Sequence, residues 1–320
     1  MKKIFSYTIK MCILILLFSI FLIFSAFLYF SYGLPDYKKL SNYEPSVLSR
    51  VYAESGELIG EFAIEKRLFI PFNSIPDKVI NSFLSAEDQN FFDHSGIDAK
   101  GVIRAVIKNI DNILSNKRLE GASTITQQVA KNFLLTNEVS LKRKIKEAIL
   151  AFRIEKAYSK KRILELYLNE IYLGKGTYGV AYASLEYFNK SVKELNYNEA
   201  ALLAALPKAP SKYNPYNSIE KATVRRNMVL KNLNDNGYIS NDELQKFLKQ
   251  KINLKKRKVF LIKEAKSYTE EVRRIVKTDY GFEKLYSEGL SISTPLDGKY
   301  QITALNSLRF GIEEYDKRHG

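Results

Sequence analysis

The chain has 320 residues, enough to bury one large core or two modest ones. Its 50 lysines and arginines against 35 aspartates and glutamates give a formal charge of +15, so anionic partners are expected. A single cysteine, Cys12, excludes an intrachain disulfide, and two histidines, His94 and His319, exclude a histidine-rich metal site.

Met11 to Leu34 carries no ionisable group apart from Cys12 and tyrosines, and it is long enough to cross roughly 30 Å of hydrocarbon. The expectation is a cytoplasmic tail over 1–10 and a transmembrane helix over 11–34. Lys2, Lys3 and Lys10 precede the apolar run and Asp36 is the first charge after it, so the positive-inside bias puts the N-terminus in the cytoplasm and the rest outside. A secretory signal peptide is the rival reading, but the run is long for one and Ser25-Ala26 is a poor cleavage neighbourhood. For a chain tethered this way the nearest anions are lipid head groups and phosphorylated lipids, and nucleic acid is disfavoured. Many of the lysines, including those from Lys251 to Lys258, read as solvated faces.

Val47–Tyr52 and Leu58–Phe62 flank Glu54-Ser55-Gly56-Glu57, which predicts two short strands around a turn. From Pro76 the pattern turns helical: Val79, Ile80, Phe83 and Leu84 share a face, and Glu87 falls near the C-terminal end. Val102, Ile103, Val106, Ile107, Ile110, Ile113 and Leu114 predict an amphipathic helix capped by Asp98, whose stripe reads first as core and second as an interfacial contact. Leu141, Ile145, Ala148, Ile149 and Phe152 define another helix. Ile163, Leu166, Tyr167 and Ile171 define the next, with Gly174 as its expected stop. Asn196 with Glu199 reads as a capping box before a buried Ala/Leu helix closed by Pro207. A long helix follows over Ile219 to Asn236, stopped by Gly237, and Ser240 with Glu243 marks another start. Lys251 to Lys258 reads as a linker or exposed edge. The tail from about Ser267 mixes a charged helix with a strand near Leu290–Thr294. No internal repeat or low-complexity tract is present.

Candidate chemistry concentrates in three segments. Gly121 to Asn132 packs small, hydroxyl, amide and cationic side chains without one acid, which suits an anionic ligand at a helix N-terminus. It brings Ser123, Thr124, Gln127, Gln128, Lys131 and Asn132. Glu87 and Asp88 precede it with Phe91, Phe92 and His94, and burial beside aromatic rings would raise a carboxyl pKa towards a general base's range. Asp88 and His94 read alternatively as hydrogen-bond partners that fix the loop, the favoured reading over direct catalysis for His94. Arg143, Lys144 and Glu147 follow, and the planar fork of Arg143 is matched to phosphate oxygens. A carboxylate base beside a phosphate cradle is what sugar transfer from a glycosyl pyrophosphate requires.

Five segments resemble, in order, the five motifs of the peptidoglycan glycosyltransferase family (family 51), the membrane-anchored domain of class A penicillin-binding proteins. They are Glu87 to Gly96, Gly121 to Asn132, Arg143 to Glu147, Lys161 to Gly174 and Arg225 to Leu230, and Leu202 to Pro215 is also similar. The resemblance implies a mainly α, lysozyme-like two-lobed helical domain with a short β element after the N-terminal transmembrane helix. It implies a glycosyltransferase domain over 40–245 and a connector with the start of a truncated second domain over 246–320. It further implies polymerisation of lipid II, with Glu87 as the base for the acceptor hydroxyl and Glu147 assisting at the pyrophosphate. Lys131 and Arg143 would bind that pyrophosphate, with Asp88, Phe91, His94, Ser123, Thr124, Gln127, Gln128, Asn132 and Lys144 as further substrate-binding residues. Glu165, Asn169 and Arg226 would hold helices together. No cofactor is implied with certainty; a divalent cation, Mg or Mn, is the one candidate. The implied partners are lipid II, the growing glycan strand, membrane lipids and other cell-wall synthesis proteins.

Ala122 stands where many family members have glycine. Ser218-Ile219-Glu220-Lys221 has the spacing of a penicillin-sensitive Ser-x-x-Lys, but no Lys-Thr-Gly follows, so no cross-linking activity is predicted. Two rival readings stay open. A lysozyme-like glycan-cleaving enzyme would have no use for Lys131 and Arg143 at a leaving pyrophosphate. A non-catalytic lipid II-binding or scaffold remnant would have no reason to keep every matched charge.

Overall fold

A computed structural model describes residues 10–320 except 12, 16, 19, 20, 23, 24, 26, 27, 42, 44, 45, 116–120, 137, 139, 256 and 258–261. The described residues are mostly helical with five short strands. They divide into two compact units: the residues up to Tyr43 with Asn90–Tyr167, and the residues from 46 to Gln89 with Leu168–Gly320. The expected membrane helix over 11–34 lies in part outside the described residues, and among those described no helix is long and apolar enough to cross a membrane.

In the first unit, Asp98 caps the helix Ala99–Leu114 by accepting the Gly101 N–H. The expectation that its apolar stripe is core fails. Ile103, Val106, Ile110 and Ile113 are exposed, and Ile107 is 65 % accessible. Helical periodicity says which side chains share a face, not what the face meets. Ile125–Leu134 packs on Leu141–Ala157. The latter buries Glu147, Ile149, Leu150, Ala151 and Ile154, whereas Leu141 and Phe152, predicted on its core face, are exposed.

In the second unit, β1 (Ser49–Tyr52) and β2 (Leu58–Phe62) form the expected antiparallel pair, with Val51 opposite Gly60. β5 (Ser291–Ser293), from the far end of the chain, joins β1 in parallel with Ile292 opposite Val51. β3 (Lys66–Arg67) pairs in parallel with β4 (Thr177–Tyr178). The helix Tyr197–Ala205 carries the predicted capping box and buries nearly every side, as its run of alanines and leucines allows. Asp77–Glu87 and Ile219–Asp235 pack against it. Ser240 and Glu243 make the second predicted box.

Two local expectations are corrected. Lys160–Glu170 ends four residues before Gly174, which instead opens a turn closed by the Thr177 N–H. Arg257, within the basic run read as solvated, is half-buried: it pairs with both oxygens of Glu61 at 2.6 and 2.7 Å and donates to the Tyr182 hydroxyl at 2.8 Å. Arg226 is fully buried and bonds the Asn227 side chain and the Gln250 carbonyl. Asn169 bonds both the N–H and the carbonyl of Ile70 at 2.8 Å. Glu165 pairs with Arg162 on its own helix. Ser218 caps Ile219–Asp235 through the Lys221 N–H, which gives that Ser-x-x-Lys a helix-start role.

Candidate active site

Glu87 is the last residue of Asp77–Glu87 and is half-buried. The turn before it is fixed from Ile219–Asp235 and its cap: Asn232 donates to the Ser85 carbonyl at 2.8 Å and Asn236 to the Ser85 hydroxyl at 3.0 Å. Asp88, buried, ends the helix with its N–H on the Leu84 carbonyl. Glu87 and Asp88 belong to the second unit, and the remaining candidates to the first.

In the first unit Ser123, Thr124, Arg143, Lys144 and Glu147 come together. Glu147 is only 2 % accessible. Lys144 donates to Glu147 Oε2 at 2.7 Å and to Ser123 Oγ at 2.6 Å, so one ammonium joins Leu141–Ala157 to the segment before Ile125–Leu134. Arg143 Nε lies 3.0 Å from Glu147 Oε1. The N–H is not aimed along that line, and both atoms are buried without a hydrogen-bond partner. The contact is therefore an ion pair that leaves directional bonding capacity unspent. A buried carboxylate so flanked holds two cations in place.

Thr124 is the N-cap of Ile125–Leu134 in a complete capping box with Gln127. Its hydroxyl also donates to the Gly96 carbonyl at 2.6 Å. Thr124 and Gln127 are buried, and these polar groups are committed to the helix start. Gln128 and Lys131 are half-buried and Asn132 is exposed along the same helix.

Phe91 is buried, whereas Phe92, expected to crowd Glu87 with it, is exposed. His94 Nδ1 accepts the Gly96 N–H at 3.2 Å, which bends the loop onto itself. Gly96 has φ +96°, and a Cβ there would sit 2.8 Å from the Ala151 carbonyl carbon, so the loop can lie against Leu141–Ala157 only with glycine. A pocket of about 400 Å³ opens beside this loop, walled by Phe92, His94, Ser95, Phe152 and Tyr158 among others.

Two residues here, Glu155 and Lys160, were not singled out by the sequence. Glu155 Oε1 accepts Thr126 Oγ1 at 2.6 Å and Lys160 Nζ at 2.7 Å, and Lys160 donates again to the His94 carbonyl at 2.5 Å. Partners 29 and 66 positions apart leave no local pattern. Among the described residues no group of three or more His, Cys, Asp or Glu side chains is placed to hold a metal ion. An all-protein ligand set for the candidate Mg or Mn is therefore not found among the described residues, and no step is routed through a metal.

The chain combines a mostly helical fold with a buried acid fastened to two cations beside a capped helix start, an arrangement suited to an anionic ligand. It belongs to the transglycosylase family, whose model, described as Transglycosylase, matches residues 55–234. Among its relatives it is 48% identical over 291 residues to penicillin-binding protein 1A of Rickettsia prowazekii, covering 91% of this chain and 37% of that one. It is 45% identical over 285 residues to the penicillin-binding protein 1A of Aquifex aeolicus, covering 89% and 38%. A crystal structure of penicillin-binding protein 1A from Haemophilus influenzae superposes with a TM-score of 0.52 at 29% identity, covering 87% of this chain and 31% of that one. The chain thus spans little more than a third of the length of the relatives it matches.

Proposed function

We propose that the chain polymerises lipid II, a disaccharide-pentapeptide on undecaprenyl pyrophosphate, into β-1,4 glycan strands. The observation that carries this is the Arg143–Lys144–Glu147 cluster with Ser123: a fixed pair of cations in a protein whose family is named for transglycosylation. In the proposed reaction Glu87 takes the proton from the acceptor sugar's 4-hydroxyl. The freed oxygen attacks the anomeric carbon of the growing strand with inversion, and the bond from that carbon to the pyrophosphate oxygen breaks. Arg143 and Lys131 take up the charge that develops on the leaving group, with Lys144 and Glu147 holding Arg143 in register. Gln128 and Asn132, the more accessible polar residues of Ile125–Leu134, serve the substrate directly. Thr124 and Gln127 act through the backbone they cap.

The same reading places the chain at the outer face of the cytoplasmic membrane, anchored once over 11–34 with its N-terminus in the cytoplasm. The exposed apolar face of Ala99–Leu114 supports a membrane-side position for the first unit.

The test incubates the detergent-solubilised chain with radiolabelled lipid II and follows polymer and released undecaprenyl pyrophosphate. Polymer from the wild type, cut about 10²-fold or more in Glu87→Gln, is expected. Lipid II bound but never polymerised would turn the reading to a scaffold, and shortening of preformed glycan without lipid II would turn it to a hydrolase.

A further inference from the structure

The geometry points to Lys160 as a positioning residue of the transfer reaction, acting through the loop Phe91–Gly96. This rests on the transferase reading above. The ammonium has three donor directions, and the structure shows it holding two acceptors and lying over a ring. One bond goes to the His94 carbonyl at 2.5 Å and one to Glu155 Oε1 at 2.7 Å, and the charge sits 4.4 Å from the centre of the Phe91 ring. Phe91 and His94 are the two loop residues carried into the candidate site. One cation thus grips both, at a ring and at a peptide carbonyl.

The grip is anchored, not floating. Glu155 is nearly buried, and the oxygen that receives Lys160 also receives Thr126 Oγ1 at 2.6 Å, from the helix that bears Gln127, Gln128 and Lys131. A second fastening lies two residues on, where Thr124 Oγ1 holds the Gly96 carbonyl and Gly96 presses on the Ala151 backbone. With the loop fixed at His94 and Gly96, the Gly96 N–H meets His94 Nδ1. That bond sets the tilt of the imidazole and, in the neutral ring, puts the proton on Nε2. Lys160 therefore orients His94 through the backbone carbonyl it holds.

Lys160→Met alone would strand the Glu155 carboxylate, so the informative variant is Lys160→Met with Glu155→Gln, which removes both charges and keeps an acceptor for Thr126. Two readouts are taken on the full chain in detergent. In hydrogen exchange, the amides of 91–96 are expected to exchange at least about tenfold faster while those of Ile149–Ile154 keep their protection. In lipid II polymerisation, kcat is expected to fall about 10- to 100-fold with KM nearly unchanged, because a misaligned group costs rate more than binding. Unchanged exchange in the loop overturns the inference, and so does faster exchange with wild-type kcat. Were the wild type itself to make no polymer, the transferase reading would fall and Lys160 would lose its role in transfer with it, while the exchange result would still decide whether Lys160 holds the loop.

Discussion

Gly96 is where sequence, backbone and site meet in one residue. Its φ of +96° is closed to most side chains, and the space a Cβ would need is filled by the Ala151 backbone, which cannot swing aside as a flexible side chain would. Gly96→Ala therefore carries two penalties, and a stability loss of about 2 kcal/mol or more is expected, read as a lower midpoint in urea. The substitution also withdraws the Gly96 carbonyl from Thr124, so activity should fall further than stability alone explains. Glu147 illustrates a different residue-scale economy. Arg143 and Lys144 precede it by four and three positions, spacing that puts all three on one helical face, and this much was legible in the sequence. That Lys144 also reaches Ser123, 21 positions away, was not.

At the scale of elements, the starts of helices were readable because caps are local chemistry: Asp98, Asn196 with Glu199, and Ser240 with Glu243 all act within three residues. The exposed face of Ala99–Leu114, the buried pairing of Arg257 and the Glu155–Lys160 knot were not, because each depends on what the chain brings from far away. Glu61 lies 196 positions from Arg257. The Asp98 cap allows a pH test of one element. Burial works to raise its carboxyl pKa, but the Gly101 N–H, the Asn90 amide and the charge of Arg104 help to outweigh it, and the group is held below its ordinary value. A carboxyl depressed on folding stabilises fully above its unfolded pKa and loses that contribution as pH falls through the folded one. Acidification from pH 6 to pH 3 should thus lower the melting temperature of the wild type more than that of Asp98→Asn. An equal decline in both would place the acid sensitivity elsewhere.

For the molecule as a whole, two features bear on where it works: a formal charge of +15 and the apolar face of Ala99–Leu114. Each would attract a bilayer by different physics, and salt separates the two. Attraction of basic residues to anionic head groups is worth about 1 kcal/mol per residue near the surface and fades as the Debye length shrinks from about 8 Å at physiological salt to about 3 Å at 1 M. Burial of Ile103, Ile107 and Ile113 in the interface gains its free energy from water exclusion and survives high salt. A chain starting at Tyr37, first checked for a cooperative melt, removes the expected anchor from the measurement. Its partition onto phosphatidylglycerol vesicles is expected to drop at least about tenfold between 0.1 and 1 M NaCl, down to a residual level that salt no longer changes. Replacing Ile103, Ile107 and Ile113 by serine should abolish the residual binding and leave the salt-sensitive part. If the triple variant keeps the residual binding, the apolar face does not meet the membrane. If salt removes all binding from the unaltered chain, charge alone brings it there, and the exposed isoleucines need a protein partner to account for them.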